Sequence, residues 1–249
     1  MQLHGFVRKD MPEIAIIAAL EREIGPLIKG WRFVEREHSG KRFRFFEDGN
    51  CVAVCGGIGP AAARRAAEAI VAFYRSAVLE SVGFAGALDT SQRVGDVLDI
   101  RQVIDATDGS RADTGRGDTT LVSFPSVAGK DQKQKLANAY QARAVDMEAA
   151  AVAKSSQAHG LEFRATKVIS DEAAFPVPPM ERFITSDGQF QSGRFAIYVA
   201  VRPWMWATAI RLGRNSAKAA RALCEHLRRS YQTEPAASRP VPAAEESRP

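Results

Sequence analysis

Three short stretches of this 249-residue chain place carboxylates beside small or apolar residues at the ends of predicted strands: AALERE at 18–23, VDMEAAAVA at 145–153 and ISDEA at 169–173. Open α/β sheets hold their ligands at the carboxyl ends of strands. Carboxylates gathered there can transfer protons and favour a developing positive charge. Taken singly, each stretch also has a plainer reading. Asp146 and Glu148 suit a helix cap and a first-turn acid, Ser170 and Asp171 suit a capped turn, and Glu21 and Glu23 suit a solvated helix face.

A fourth feature is the glycine turn Gly57-Ile58-Gly59-Pro60-Ala61-Ala62, between a strand-like run and a strongly helical AAARRAAEAIVAFY. It fits G-x-G-x-x-A, a dinucleotide-binding pattern. That reading is weak, because the chain does not begin with this unit and no acid ends a second strand about 20 residues later. Glycines that simply allow tight strand-to-helix packing explain the turn equally well.

The elements that must position these residues follow from patterning. Glu13 to Leu20 (EIAIIAAL) is a continuous apolar run suited to a buried strand, with a helix from Glu21 to near Gly30. Arg42–Glu47 and Asn50–Cys55 flank Asp48-Gly49, a hairpin signal. SVGFAGAL at 81–88, VGDVLDI at 94–100, TLVSF at 120–124, Ala144-Val145 and Phe163–Ile169 read as further strands, with a polar loop at 105–118. Helices are predicted at 130–140, 147–159 and 203–231, and an irregular segment between Pro179 and the last of them. This alternation predicts an α/β fold: three layers, α/β/α, around a central mixed, mainly parallel twisted sheet. Residues 1–231 are read as one domain and 232–249, which hold four prolines and few large apolar groups, as a disordered tail.

Composition narrows the function. With 45% hydrophobic residues the chain can bury one sizeable core. It contains no run of 18 apolar residues and no signal-peptide pattern, so a cytoplasmic protein is expected. Cys51, Cys55 and Cys224 form no disulfide framework and stand with no histidines at metal-ligand spacing; Cys51 and Cys55 share a strand face and read as buried thiols. Neither a metal nor an organic cofactor is expected. The net charge of +5 is modest and mostly interleaved, so nucleic acid is not an expected partner.

In order and spacing, five blocks resemble the purine nucleoside phosphorylase and uridine phosphorylase superfamily, most visibly its methylthioadenosine and S-adenosylhomocysteine nucleosidases. They are the opening strand with its glutamates, VCGGIGPAAA, GFAGALDTSQRVGDVLDI, AVDMEAAAVA and KVISDEA, together spanning 13–173. The resemblance implies cleavage of the N-glycosidic bond of a purine nucleoside. It makes Asp171 the acid that helps protonate the leaving base, Glu23 the base that activates water, Glu148 the partner of the ribose hydroxyls and Met147 a side chain packed on the sugar. Gly57 and Gly59 would border the phosphate or ribose site with amides facing an anion. Ser170, Phe84 and Phe124 are the base-binding candidates, Phe124 as the stacking aromatic. Two departures stand out. Phe84 replaces a small hydroxyl residue usual in the nucleosidases, and the chain is short between Ile100 and Asp146.

TLVSFPSVAG, KQKLANAYQARAVDMEAAAVA and the ending FPVPPMERF with RPWMWATAIRLGRNSAKAARAL are similar to the hopanoid-associated phosphorylases, held to release adenine from an adenosyl hopane by phosphorolysis. The resemblances therefore leave water and phosphate both open as acceptor, phosphate being a co-substrate, and imply a homo-oligomer. In the last helix, Met205, Trp206, Ala209, Leu212, Ala220, Leu223 and Leu227 fall on one side, with Arg211, Arg214, Lys218, Arg221 and Arg228 as an adjacent basic stripe. Such a helix packs on the core or lies at an anionic membrane surface, so peripheral contact with the inner membrane face through 203–231 is a second expectation. A non-catalytic nucleoside-binding protein and a dinucleotide-dependent oxidoreductase are the competing classes. The joint presence of Asp171, Glu148 and Glu23 speaks against the first, and only the glycine turn supports the second.

Overall fold

A computed structural model describes residues 12–233. Strand β1 (Ile14–Ala18) leads into helix α1 (Glu21–Ile28), then β2 (Arg32–His38), β3 (Lys41–Asp48), β4 (Cys51–Cys55) and α2 (Pro60–Phe73). Next come β5 (Val78–Ala87), β6 (Val97–Asp105), β7 (Arg111–Asp113), β8 (Thr119–Ser123), α3 (Lys130–Tyr140), β9 (Ala144–Asp146), α4 (Ala149–Ala158) and β10 (Glu162–Asp171). A 3-10 turn at Glu181–Phe183, α5 (Ser192–Ala200) and α6 (Pro203–Thr233) follow.

The ten strands form one sheet, mixed as predicted, but two expectations need correction. Five strand pairings are parallel and five antiparallel, so the sheet is not mainly parallel. It also closes on itself: β5 pairs with β10 on one edge and with β9 on the other, and β10, β6, β8 and β9 complete a ring with it. The cause is a mismatch of strand lengths. β1 turns into α1 after Ala18 and covers only Val78–Ser81 of the ten-residue β5, so Gly86 and Ala87 are left to pair with β9. Irregularities in β10 between Ile169 and Asp171 and in β6 between Ile100 and Gln102 supply curvature. β4, β3 and β2 extend the sheet outward from β1.

Alternation along β1 divides the core. Ala15 and Ile17 join Val52, Val54 and the alanine-rich faces of α2 and α4, while Ile14, Ile16 and Ala18 join Ile24, Leu27 and Ile28 of α1 and Ala219, Leu223, Cys224 and Leu227 of α6. Leu88, Val122, Leu136 and Val145 form a third cluster under α3. Ala220, Leu223 and Leu227, three members of the apolar stripe read from sequence, are thus spent on the core and cannot face a membrane. The three cysteines are thiols.

Strands β2 and β7 and helix α5 had no signal in the pattern. β2 (RFVEREH) is an edge strand with charges on both faces, and β7 lies in the polar loop where it pairs with β6. Helix α4 begins at Ala149, two residues later than predicted, because Met147 and Glu148 form the turn that enters it. The tail at 234–249 lies outside the described residues. Among the described residues no helix is long and apolar enough to cross a membrane.

A buried ion pair ties the ring together. Lys167 of β10, 1% exposed, places Nζ 2.9 Å from Asp146 Oδ2 at the end of β9 and donates to Ser81 Oγ of β5 at 3.0 Å. Asp146 Oδ1 accepts from Ser123 Oγ of β8 at 2.5 Å, and Oδ2 accepts from the Ala149 amide at 2.8 Å. Removing one partner of such a pair strands a buried charge. Lys167→Met should therefore destabilise by about 3–5 kcal/mol in urea denaturation, with part of the loss recovered by adding Asp146→Asn. An unchanged midpoint in the single variant would contradict this role.

Candidate active site

The carboxyl ends of β1, β5, β9 and β10 open on a cavity of about 540 Å³. The ion pair explains one side of it. By fixing Asp146, which caps α4, it sets the entry turn so that Met147 and Glu148 face the cavity. Glu148 Oε1 accepts a 2.7 Å hydrogen bond from the Gly59 amide, and Oε2 accepts from the Met147 amide at 3.3 Å. Gly59 is at φ 94°, a left-handed value that turns its N–H toward the carboxylate.

Glu23 comes from the first turn of α1 and is buried, not solvated. Its Oε2 has no hydrogen-bond partner among the described residues. Gly83 of β5 lies beneath it, and a Cβ there would stand 2.6 Å from that oxygen, so a larger residue would push the Glu23 carboxylate aside. Burial pushes the Glu23 carboxyl up to about 8; the Glu148 charge adds to the rise, and Lys167 and Arg22 oppose it. Burial, then the Asp146 charge, likewise raises the Glu148 carboxyl above the usual carboxylate range, against the pull of Lys167 and two backbone amides.

Asp171, at the end of β10, lines the same cavity. Ser170 donates to its Oδ1 at 2.8 Å, and Lys133 of α3 forms an ion pair with its Oδ2. Lys133 is 2% exposed and also donates to the Glu172 carbonyl at 2.9 Å. The Lys133 side chain was missed in the sequence, where three lysines of α3 look alike; only its spacing from Leu136, the other buried residue of that helix, marks it.

Of the remaining sequence candidates, Met147, Ser170 and Phe84 line the cavity. Phe124 does not: it packs with the Leu88–Val122–Val145 cluster while its amide bonds the Asp146 carbonyl. The glycine loop also differs from expectation. The amides of Gly57, Ile58 and Gly59 are already given to the Ala19 carbonyl, the Gly188 carbonyl and the Glu148 carboxylate, so none of the three is left for a bound anion. The loop positions Glu148, and Gly57 packs beneath the turn at Gly188.

The C-terminal region supplies a largely apolar share of the wall, with Ser192 and Ser216 among its lining residues. Val177, Met180, Ile184 and Phe190 of the segment after β10, Phe195 of α5 and Leu212 of α6 line the cavity together with the carboxylates. Arg22 also lines it and stacks over Phe190 at 5.2 Å.

A carboxyl whose folded value lies above its ordinary one of 4.5 favours the folded state fully below that value and loses the benefit as pH rises through about 8. Glu23→Gln, neutral at every pH, should accordingly unfold at a higher temperature than the parent at pH 9, with the gap closing toward pH 5. A gap that does not change with pH would count against a buried, protonatable Glu23.

The geometry agrees with comparisons to known proteins. The Phosphorylase superfamily sequence profile matches residues 13–130, and no curated protein sequence matches the chain. Among solved structures, the 5′-methylthioadenosine/S-adenosylhomocysteine nucleosidase of Helicobacter pylori, bound to butyl-thio-DADMe-Immucillin-A, superposes with a TM-score of 0.66 at 19% identity, over 90% of this chain and 99% of that one. The S-adenosylhomocysteine nucleosidase of Streptococcus pyogenes, in complex with 5-methylthiotubericidin, gives 0.67 at 18% identity over 92% and 99%. The futalosine hydrolase of H. pylori gives 0.64 at 19% identity over 88% and 97%. Residues 13–130 thus resemble the phosphorylase superfamily in sequence, and the chain shares the fold of these nucleosidases and of the hydrolase.

Proposed function

We propose that the protein cleaves the N-glycosidic bond of an adenosine carrying a large apolar substituent at C5′, with water as the acceptor. One observation carries the reading: a buried glutamate with an unpartnered oxygen shares a cavity with a second carboxylate and with a Lys133–Asp171 pair. Glu148 takes the ribose hydroxyls and Met147 packs on the sugar. Glu23 removes a proton from water as its oxygen bonds to C1′. The C1′–N9 bond breaks through an oxocarbenium-like state that the carboxylates favour. The departing purine takes a proton at a ring nitrogen from the Asp171–Lys133 pair, so it leaves neutral.

The names of the fold relatives support a nucleoside with a modified 5′ position. The apolar arm of the cavity supports a hydrocarbon substituent there. An adenosyl hopane, the substrate implied by the C-terminal resemblance, has that shape. Phosphate is the second reading for the acceptor, favoured by Arg22 in the cavity wall, which could hold an anion beside Glu23.

Incubated with 5′-methylthioadenosine or a 5′-alkyl adenosine, the protein should release adenine without phosphate. Glu23→Gln and Asp171→Asn should each lower kcat/KM by about 10²–10⁴-fold. Glu23 must be ionised to accept the proton, so kcat/KM should rise with pH through about 8. Release that requires phosphate and yields ribose 1-phosphate would replace water with phosphate, and release of no base from any purine nucleoside would contradict the reading.

A further inference from the structure

We propose that α5 and the first turns of α6 form a docking surface for an anionic lipid bilayer. Large exposed apolar side chains are concentrated here: Ile197, Val201, Trp204, Trp206 and Ile210, with Ile197 at 69% and Trp204 at 76% exposure. Helix α5 (SGRFAIYVA) is apolar in sequence yet has no buried residue. Charge in the same region has one sign. From Gly188 through Cys224 the sequence contains no aspartate or glutamate, and it carries Arg194, Arg202, Arg211, Arg214, Lys218 and Arg221.

Helical phase joins the two properties. At about 100° per residue, Trp204 and Ile210 share an arc of α6 with Arg211, Arg214, Lys218 and Arg221. Ala209, Leu212 and Ser216, on the opposite arc, line the cavity. The apolar stripe read from the sequence is therefore the inward face except at Trp206, which is half exposed at its margin, and the bilayer meets that margin and the other face. Tryptophans beside a basic face are the composition of a helix seated at the headgroup level. No described helix can cross a bilayer, so the contact is interfacial. Charge complementarity selects the occupant. Glu225 is the first carboxylate on this arc, one turn beyond Arg221. A second copy docked symmetrically on the turns before it would set cationic surfaces against each other, whereas anionic headgroups neutralise both.

The inference rests on the proposed function only for its purpose, which is to let an apolar 5′ substituent pass from the bilayer into the arm lined by the same helices. Binding itself is independent of catalysis. The full chain should sediment with vesicles of phosphatidylglycerol and phosphatidylcholine at low salt, and be released by high salt or when phosphatidylcholine is used alone. Arg214→Gln with Lys218→Gln should weaken partitioning by roughly fivefold per cation. Ile197→Ser with Trp204→Ser should abolish it while leaving release of base from a soluble nucleoside at the parent level, which shows that the variant folds. Protein that stays in the supernatant with anionic vesicles at low salt would overturn the proposal. So would equal binding by the serine variant, or a dimer in sedimentation velocity that the serine changes dissociate.

Discussion

Lys167 and Asp146 are both buried, and neither can be left alone there. A lysine and a carboxylate withdrawn from water cost several kcal/mol each unless they meet with their other hydrogen bonds satisfied. Here they meet between β10 and β9, with Ser81 of β5 and Ser123 of β8 completing the contacts, so four of the five strands that close the ring are held in one relative arrangement. The same carboxylate caps α4, and the turn into α4 carries Met147 and Glu148. One electrostatic requirement in the interior thus fixes where the carboxylates of the cavity stand. It also acts on them directly, since the Lys167 charge tempers the rise that burial imposes on Glu23 and Glu148.

The cavity joins two environments. At the strand ends, carboxylates, a serine and a buried lysine line one cavity. The wall also holds valine, methionine, isoleucine and phenylalanine from the segment after β10 and from α5 and α6. Helix α6 serves both regions. Its C-terminal part, with Leu223 and Leu227, packs against α1, the helix that supplies Glu23, while its N-terminal part lines the apolar arm. The core and the arm are therefore coupled through one long helix.

Much of this arrangement was legible in the sequence. Continuous apolar runs marked β1 and β5, the Asp48-Gly49 turn marked the β3–β4 hairpin, and Lys130–Tyr140 was read with its observed boundaries. The strand-end positions of Glu23, Glu148 and Asp171 followed from those elements, and the three do line one cavity. What could not be read depends on tertiary partners. Closure of the sheet follows from β5 outrunning β1, a difference in strand length that patterning does not resolve. Helix α5 has no fully buried residue, and its half-buried Phe195, Tyr198 and Val199 sit among exposed apolar residues that blur the pattern. Lys133 is one of three similar lysines, set apart only by the neighbour it meets. Phe124 was judged by its residue type, whereas its place was decided by the cluster under α3. The resemblance implies an anion-facing glycine loop, whereas its amides are engaged by Ala19, Gly188 and Glu148 and Gly57 packs beneath Gly188, nearer the plain packing reading.

The central claim is that one cavity joins a glycosidic-bond end to a hydrocarbon arm. A series of 5′-alkyl adenosines of increasing chain length tests it most directly. Each methylene withdrawn from water into the arm is worth about 0.8 kcal/mol, so kcat/KM for adenine release should rise about fourfold per added methylene until the arm is filled. A kcat/KM that stays level or falls beyond the methyl member would contradict the account.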